Sequence, residues 1–203
     1  MYRCRCALLL ILLLTGVAVY AQKTEVSMTL GAAVSPDGKE PLSCSNAITC
    51  TIPQGTSNTI SIGSGFTWQV SLAYRLANLK AAALYVELPF TNAPSRTGTS
   101  FSRNFSSVFF TPSAHVKFLP GRSISPFASV GGGVAHISSL DSTGNAGALQ
   151  LGGGVDFRTP LRVLSIRTEV RDFILGHASV SPLGNFSSHV QNIFAGGGIV
   201  LKF

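Results

Sequence analysis

VLSIRTEVRDF, residues 163–173, sets an apolar parity against a charged one. Leu164, Ile166 and Val170 share one parity, while Ser165, Arg167, Glu169 and Arg171 share the other. In an extended chain these parities point to opposite faces, so the segment reads as a strand with one oily side and one charged side. The pattern spreads outward in both directions. TEVSMTLGAAV (24–34) alternates as far as Gly31, and SGFTWQVSLAYRL (64–76) sets Phe66, Trp68, Val70, Leu72, Tyr74 and Leu76 against Gln69, Ser71, Ala73 and Arg75. AALYVELPF (82–90) and SVFFTPSAHVKF (107–118) follow the same rule, with Glu87, His115 and Lys117 on their polar parities. SPFASVGGGVAHI (125–137), LQLGGGVDFR (149–158, carrying Asp156 and Arg158) and AGGGIVLKF (195–203) complete eight candidate strands. A helix over 75–88 is the competing reading of one of them, because RLANLKAAALYVEL is rich in helix formers. Pro112 removes a ladder hydrogen bond and fits only near a rim or at a bulge.

The connections alternate as well. Residues 35–58, 92–106 and 175–189 are long and polar, and 139–146 is a shorter loop of the same kind. Asn78-Leu79-Lys80, Leu119-Pro120-Gly121-Arg122 and Thr159-Pro160-Leu161-Arg162 are tight turns. This is the rhythm of an up-and-down antiparallel meander, with short turns at one end and long loops at the other.

Two barrels satisfy such a pattern, one soluble with an apolar interior and one inverted for lipid. Only 11% of the residues are charged, which is few for a soluble exported domain. Phe66, Trp68, Phe90, Phe118, Phe127, Phe157, Phe173 and Phe203 fall near strand ends, where the two bilayer interfaces would lie. Closing the first strand on the last removes sheet edges that lipid could not satisfy. The expected fold is all-β: an eight-stranded antiparallel up-and-down transmembrane β-barrel over 22–203, preceded by a signal peptide over 1–21. Arg3 and Arg5, the apolar run Ala7–Leu14 and Val19-Tyr20-Ala21 have the layout of that signal, with cleavage expected after Ala21.

On these residues the chain resembles the small outer-membrane β-barrel superfamily that includes the OmpA membrane domain, OmpX and OmpW. The resemblance rests on the closing strand with Ile199, Leu201 and terminal Phe203, on VGGGVAHI (130–137) and LGGGVDF (151–157), and on TEVRDF (168–173). It implies a location in the outer membrane of a Gram-negative-type cell, contact with lipid and lipopolysaccharide, and a monomer with both termini periplasmic. It also implies that the barrel assembly machinery reads Ile199, Leu201 and Phe203. No OmpA-like peptidoglycan-binding domain is expected, so anchoring to the cell wall is not implied.

A barrel of eight strands is just wide enough to be filled by its own side chains. The expected lumen network is Arg75, Glu87, His115, Lys117, Asp156, Arg158, Arg167, Glu169 and Arg171, with an excess of positive charge that water or an anion would balance. The triplets Gly131–Gly133, Gly152–Gly154 and Gly196–Gly198 make room for that network and for curvature; no helix follows them, as a phosphate loop would require. Cys44 and Cys50 are expected to form a disulfide stiffening the longest loop. Arg96 and Arg103 sit in loop sequence, where lipopolysaccharide phosphates are one conceivable partner.

The expected role is structural or surface-interacting, through loops that meet an unknown surface ligand, with no enzyme activity. The alternatives are a narrow anion-preferring or small-solute channel, a soluble periplasmic lipocalin-like carrier and a lipid A-modifying hydrolase. The hydrolase reading rests on two His-x-Ser pairs, His136/Ser138 and His177/Ser179, with Asp141 the only nearby downstream acid. No cofactor, metal or nucleic acid is expected: the histidines are scattered, and without Arg3 and Arg5 thirteen basic side chains against eight acidic ones leave a modest net charge of +5.

Overall fold

A computed structural model describes residues 23–35, 64–97, 104–139, 142–176, 178–180, 184–186 and 190–203. The signal segment 1–21, Cys44, Cys50, Arg103, Asp141 and His177 lie outside the described residues.

The strands are β1 (Thr24–Val34), β2 (Ser64–Asn78), β3 (Ala82–Thr97), β4 (Asn104–Phe110), β5 (Ser113–Phe118), β6 (Ile124–Ser139), β7 (Ser142–Arg158), β8 (Leu164–Leu175), β9 (Ala178–Val180), β10 (Gly184–Phe186) and β11 (Val190–Lys202). β4 and β5 are two halves of one stave, so the main sheet has eight staves, each antiparallel to its neighbours. β1 pairs with both β2 and β11, which closes the sheet into a barrel. β9 and β10 form a separate small hairpin.

Residues 82–88 are strand, not helix, pairing with β2 and β5. Pro112 accounts for the break between β4 and β5. It offers no N–H to the ladder, while its carbonyl still accepts from Gly132 N at 3.1 Å. Two expected loops are shorter than the sequence suggested. β3 runs on to Thr97, and β6 and β7 pair as far as Ser139 and Ser142. Those extensions, such as STGNAGA, have small or polar residues on both parities, so hydrophobic alternation vanishes where the strands continue.

The parity question is settled by burial. Odd-numbered residues of β1, β2, β5, β6 and β8 and even-numbered residues of β7 and β11 point into the lumen. They are mostly Ser, Thr, Gln, Gly, Ala and charged side chains. The opposite parity presents Met28, Leu30, Val70, Leu72, Val86, Leu88, Val130, Leu151, Ile166, Val170 and Ile199 outward. So broad an apolar surface is a lipid-facing band, and it excludes the soluble reading with its oily cavity.

Aromatic residues mark the band's limits. Tyr74, Phe118, Phe157 and Phe203 stand outward at the turn end, and Phe66, Phe90 and Phe110 stand outward toward the loops. Trp68 packs against Phe90 with ring centroids 5.8 Å apart. From Phe66 to Tyr74 the strand climbs about 27 Å, or about 20 Å along a normal tilted by 40°, close to the apolar thickness such barrels need. Phe127 and Phe173 are not interfacial as expected; both are buried in the lumen, because they share the parity of Ser129 and Arg171.

Val170 lies outward in mid-stave, between Gly153 and Ala195. Val170→Arg should therefore lower unfolding free energy by about 2–4 kcal/mol, while Leu161→Arg at a turn tip should change it little. Urea titration of the folded band on unheated gels measures both. Equal effects would mean that the outer face is not in lipid.

Candidate functional site: the packed lumen

The lumen is layered along its axis, and β8 supplies Arg167, Glu169 and Arg171 to its charged layers and Phe173 and Leu175 to its apolar one. Nearest the turns, Lys117 Nζ bridges Glu25 Oε2 at 2.5 Å and Asp156 Oδ2 at 2.8 Å. Arg167 meets Asp156 side-on, Nε to Oδ1 at 2.7 Å and Nη2 to Oδ2 at 3.1 Å. Such a fork fixes geometry as well as charge. The same guanidinium approaches Glu87 Oε1 at 3.7 Å and lies over the Phe127 ring, 4.5 Å from its centroid. Phe127 in turn stacks on His115, whose Nδ1 is 3.3 Å from Glu87 Oε2.

One layer further in, Arg171 Nη2 donates to both Glu87 Oε1 and Glu169 Oε2 at 2.8 Å, and Arg171 Nε donates to Glu169 Oε2 at 3.0 Å. Neutral donors add to these contacts. Ser71 Oγ donates to Glu87 Oε1 at 2.8 Å, while Thr29 Oγ1 and Gln69 Nε2 donate to Glu169 Oε1 at 2.7 and 2.8 Å. Buried charges persist only with such partners.

Above the charges, Thr111 Oγ1 donates to Gln150 Oε1 at 2.6 Å, and Gln150 Nε2 donates to Ser129 Oγ at 3.2 Å. Then the lumen turns apolar. Phe109 and Phe173 stack at 4.5 Å and pack with Phe194, Leu175, Ala135, Ala146 and Ala148, all buried. At the loop end Arg96 is fully buried and donates to Asn192 Oδ1 and, at 3.4 Å, to Ser35 Oγ.

Of the nine lumen residues expected from sequence, Glu87, His115, Lys117, Asp156, Arg167, Glu169 and Arg171 lie together in this network, each at most 2% exposed. Arg75 is half-buried at the turn-end rim, and Arg158 is exposed on the turn itself. Two members were overlooked. Glu25 shares the parity of Ser27 and Thr29, and Lys202 shares that of Val200; alternation alone would have found both. Their inclusion changes the charge account. Glu25, Glu87, Asp156 and Glu169 face Lys117, Arg167 and Arg171, so the network itself has no positive excess for an anion to balance; half-buried Lys202 is ion-paired to none of these acids.

Arg96 is also corrected, from exposed loop to lumen. A register shift between Ala93 and Arg96 switches the parity of β3, so an even-numbered residue there faces inward. His136 lies on the outer face with Nδ1 2.7 Å from Asn145 Oδ1, so an amide and not a carboxylate orients its ring. Among the described residues no group of three His, Cys, Asp or Glu side chains could hold a metal. Ile199, Leu201 and Phe203 stand outward on the closing stave.

No family model and no curated protein matches the sequence. Solved structures do. Neisserial surface protein A superposes with a TM-score of 0.61 at 17% identity, covering 90% of this chain and 99% of that one. OprG from Pseudomonas aeruginosa gives 0.54 at 10% identity, covering 90% and 98%. The fold is that of the small outer-membrane β-barrels. In an outer-membrane barrel of eight staves the lumen has room for side chains and little else. Here the apolar layer of Phe109, Phe173 and Phe194 lies between the charged layers and the loop end.

Proposed function

We propose that this protein is exported through its N-terminal signal to the outer membrane, where it is a closed, non-conducting barrel that displays surface loops. The observation that carries this reading is the packed lumen. The charges of Glu25, Glu87, Asp156 and Glu169 are met by Lys117, Arg167 and Arg171, and an apolar layer built on Phe109, Phe173 and Phe194 lies toward the loop end. A dry apolar layer is a barrier to ions even where its geometric radius is generous. Activity is then left to the loops, as in any rigid scaffold that carries function at its ends. The segment containing Cys44 and Cys50 is the first candidate for contact with a surface ligand, stiffened by a disulfide between them. Arg103 remains a candidate for lipopolysaccharide phosphate, whereas buried Arg96 does not. The outward residues Ile199, Leu201 and Phe203 fit a segment read by the barrel assembly machinery before the seam closes. The His136/Ser138 pair forms no part of the proposal, because the amide of Asn145 and no carboxylate orients His136.

The experiment is conductance across planar bilayers with the purified, heat-modifiable protein. No discrete openings are expected in 1 M salt. Phe109→Ala combined with Phe173→Ala, which empties the apolar layer, should give small openings if that layer is the barrier. Regular openings of the unaltered protein would overturn the closed-barrel reading.

A further inference from the structure

The turn end of the barrel holds an open basin of about 390 Å³, floored by the outermost residues of the lumen network, Glu25 and Lys117. Six basic side chains line it: Arg75, Lys117, Arg122, Arg158, Arg162 and Lys202. The only acidic side chain in the lining is Glu25, which is already bonded to Lys117. Among the described residues, no carboxylate lies within ion-pair distance of Arg75, Arg122, Arg158, Arg162 or Lys202. The acids that might have answered them are buried deeper, each committed to Lys117, Arg167 or Arg171.

One of these cations is held by a side-chain bond, and the backbone beneath two others is braced. Arg158 Nη1 donates to Gly121 O at 2.8 Å, tying one turn to the next. Thr159 Oγ1 donates to Leu161 O at 3.1 Å and to Leu164 O at 2.7 Å, fixing the turn that carries Arg162. The turn before Arg122 is tight, with left-handed backbone at Leu119 (φ 49°) and Gly121 (φ 90°), and Arg122 N donates to Leu119 O at 3.2 Å. Like charges gathered on short, braced turns repel one another, and a counter-ion relieves that repulsion.

We infer that this basin is a binding site for a phosphorylated anion carrying at least two negative charges. Guanidinium forks from Arg122, Arg158 and Arg162 match phosphate oxygens in pairs, and Arg75 and Lys202 supply charge from the inner wall. The volume exceeds that of a single phosphate, which favours a diphosphate or a phosphate joined to a further group. The phosphate could belong to a soluble compound in the aqueous compartment or to a lipid headgroup folded over the rim.

The test uses the full mature chain in phosphatidylcholine nanodiscs, titrated calorimetrically with pyrophosphate at low ionic strength. In parallel, phosphatidylglycerol retained after purification is measured by mass spectrometry. Arg158→Gln with Arg162→Gln removes two basin charges; Lys23→Gln with Lys80→Gln removes two charges at the same end outside the lining. The heat-induced gel shift verifies folding of each. Saturable pyrophosphate binding, weakened at least tenfold by the arginine pair and little by the lysine pair, supports the site with a soluble ligand. Absence of pyrophosphate binding, with one retained phosphatidylglycerol lost only in the arginine variant, supports it with a headgroup. Neither signal, or equal weakening by both variants, overturns the inference.

Discussion

Gly198→Val is expected to leave the chain unable to close, so that its gel mobility is the same with and without heating. A Cβ at Gly198 would lie 1.9 Å from Met28 O and 2.6 Å from Thr29 Cα, both main-chain atoms of β1. A side chain in that position could rotate aside, but a paired backbone cannot. Overpacking in a yielding core costs about 1–3 kcal/mol. Here the strain falls on the seam between β1 and β11, and parting it would expose unpaired backbone groups to lipid, each costing several kcal/mol. The matched control is Gly132→Ala, where the nearest atom, Ala148 O, is 3.8 Å away. That variant should fold and shift normally. A normal heat shift for Gly198→Val would show that the seam tolerates a side chain, and the close-approach account of the glycine triplets would fail.

The second large effect concerns Arg171. Its guanidinium is fully buried and answers Glu87 and Glu169 together. Arg171→Met keeps much of the volume and strands two carboxylates, which should lower stability by about 3–5 kcal/mol. Adding Glu169→Gln and Glu87→Gln should recover most of that loss, because the stranded charges go with it. The midpoint of urea unfolding, followed by loss of the fast-migrating band, reads each step. If the triple variant is no more stable than Arg171→Met alone, the loss comes from packing around the guanidinium and not from unpaired charge.

Much of this was legible in the chain, and the reason is periodicity. A closed barrel in lipid forces every stave to alternate, so VLSIRTEVRDF and SGFTWQVSLAYRL announce both the strand and its inner face. Seven of the nine charges assigned to the lumen from parity lie in the network. What parity could not show was any place where it slips or fades. The register shift before Arg96 turned an apparent loop arginine into a buried one. The β6–β7 extension beyond the apolar band looked like loop because neither face there needs to be oily. Phe127 and Phe173 lie in the lumen and not in an aromatic girdle, because their parity is that of Ser129 and Arg171. The turn-end basin could not be foreseen at all. It gathers Arg75, Arg122, Arg158, Arg162 and Lys202 from distant parts of the chain, and only closure brings them to one mouth.

The same closure has a temporal side. The seam pairs Glu25 with Lys202 and Val34 with Ile193, partners separated by roughly 160–175 residues. Every other contact between neighbouring staves joins segments consecutive along the chain, and each such hairpin can zip as soon as its turn forms. The seam has no turn to start it. Joining ends so remote carries the largest loop-closure entropy in the molecule, reduced only when the intervening hairpins have already curled the sheet. The glycines at 31, 196 and 198 sit on this contact, where two backbones must dock without side chains in the way and which, on loop-closure entropy, is expected to form last. Until that latch shuts, the chain is a curved sheet with two open edges, and a helper that shelters those edges would hasten folding without adding anything to the stability of the finished barrel.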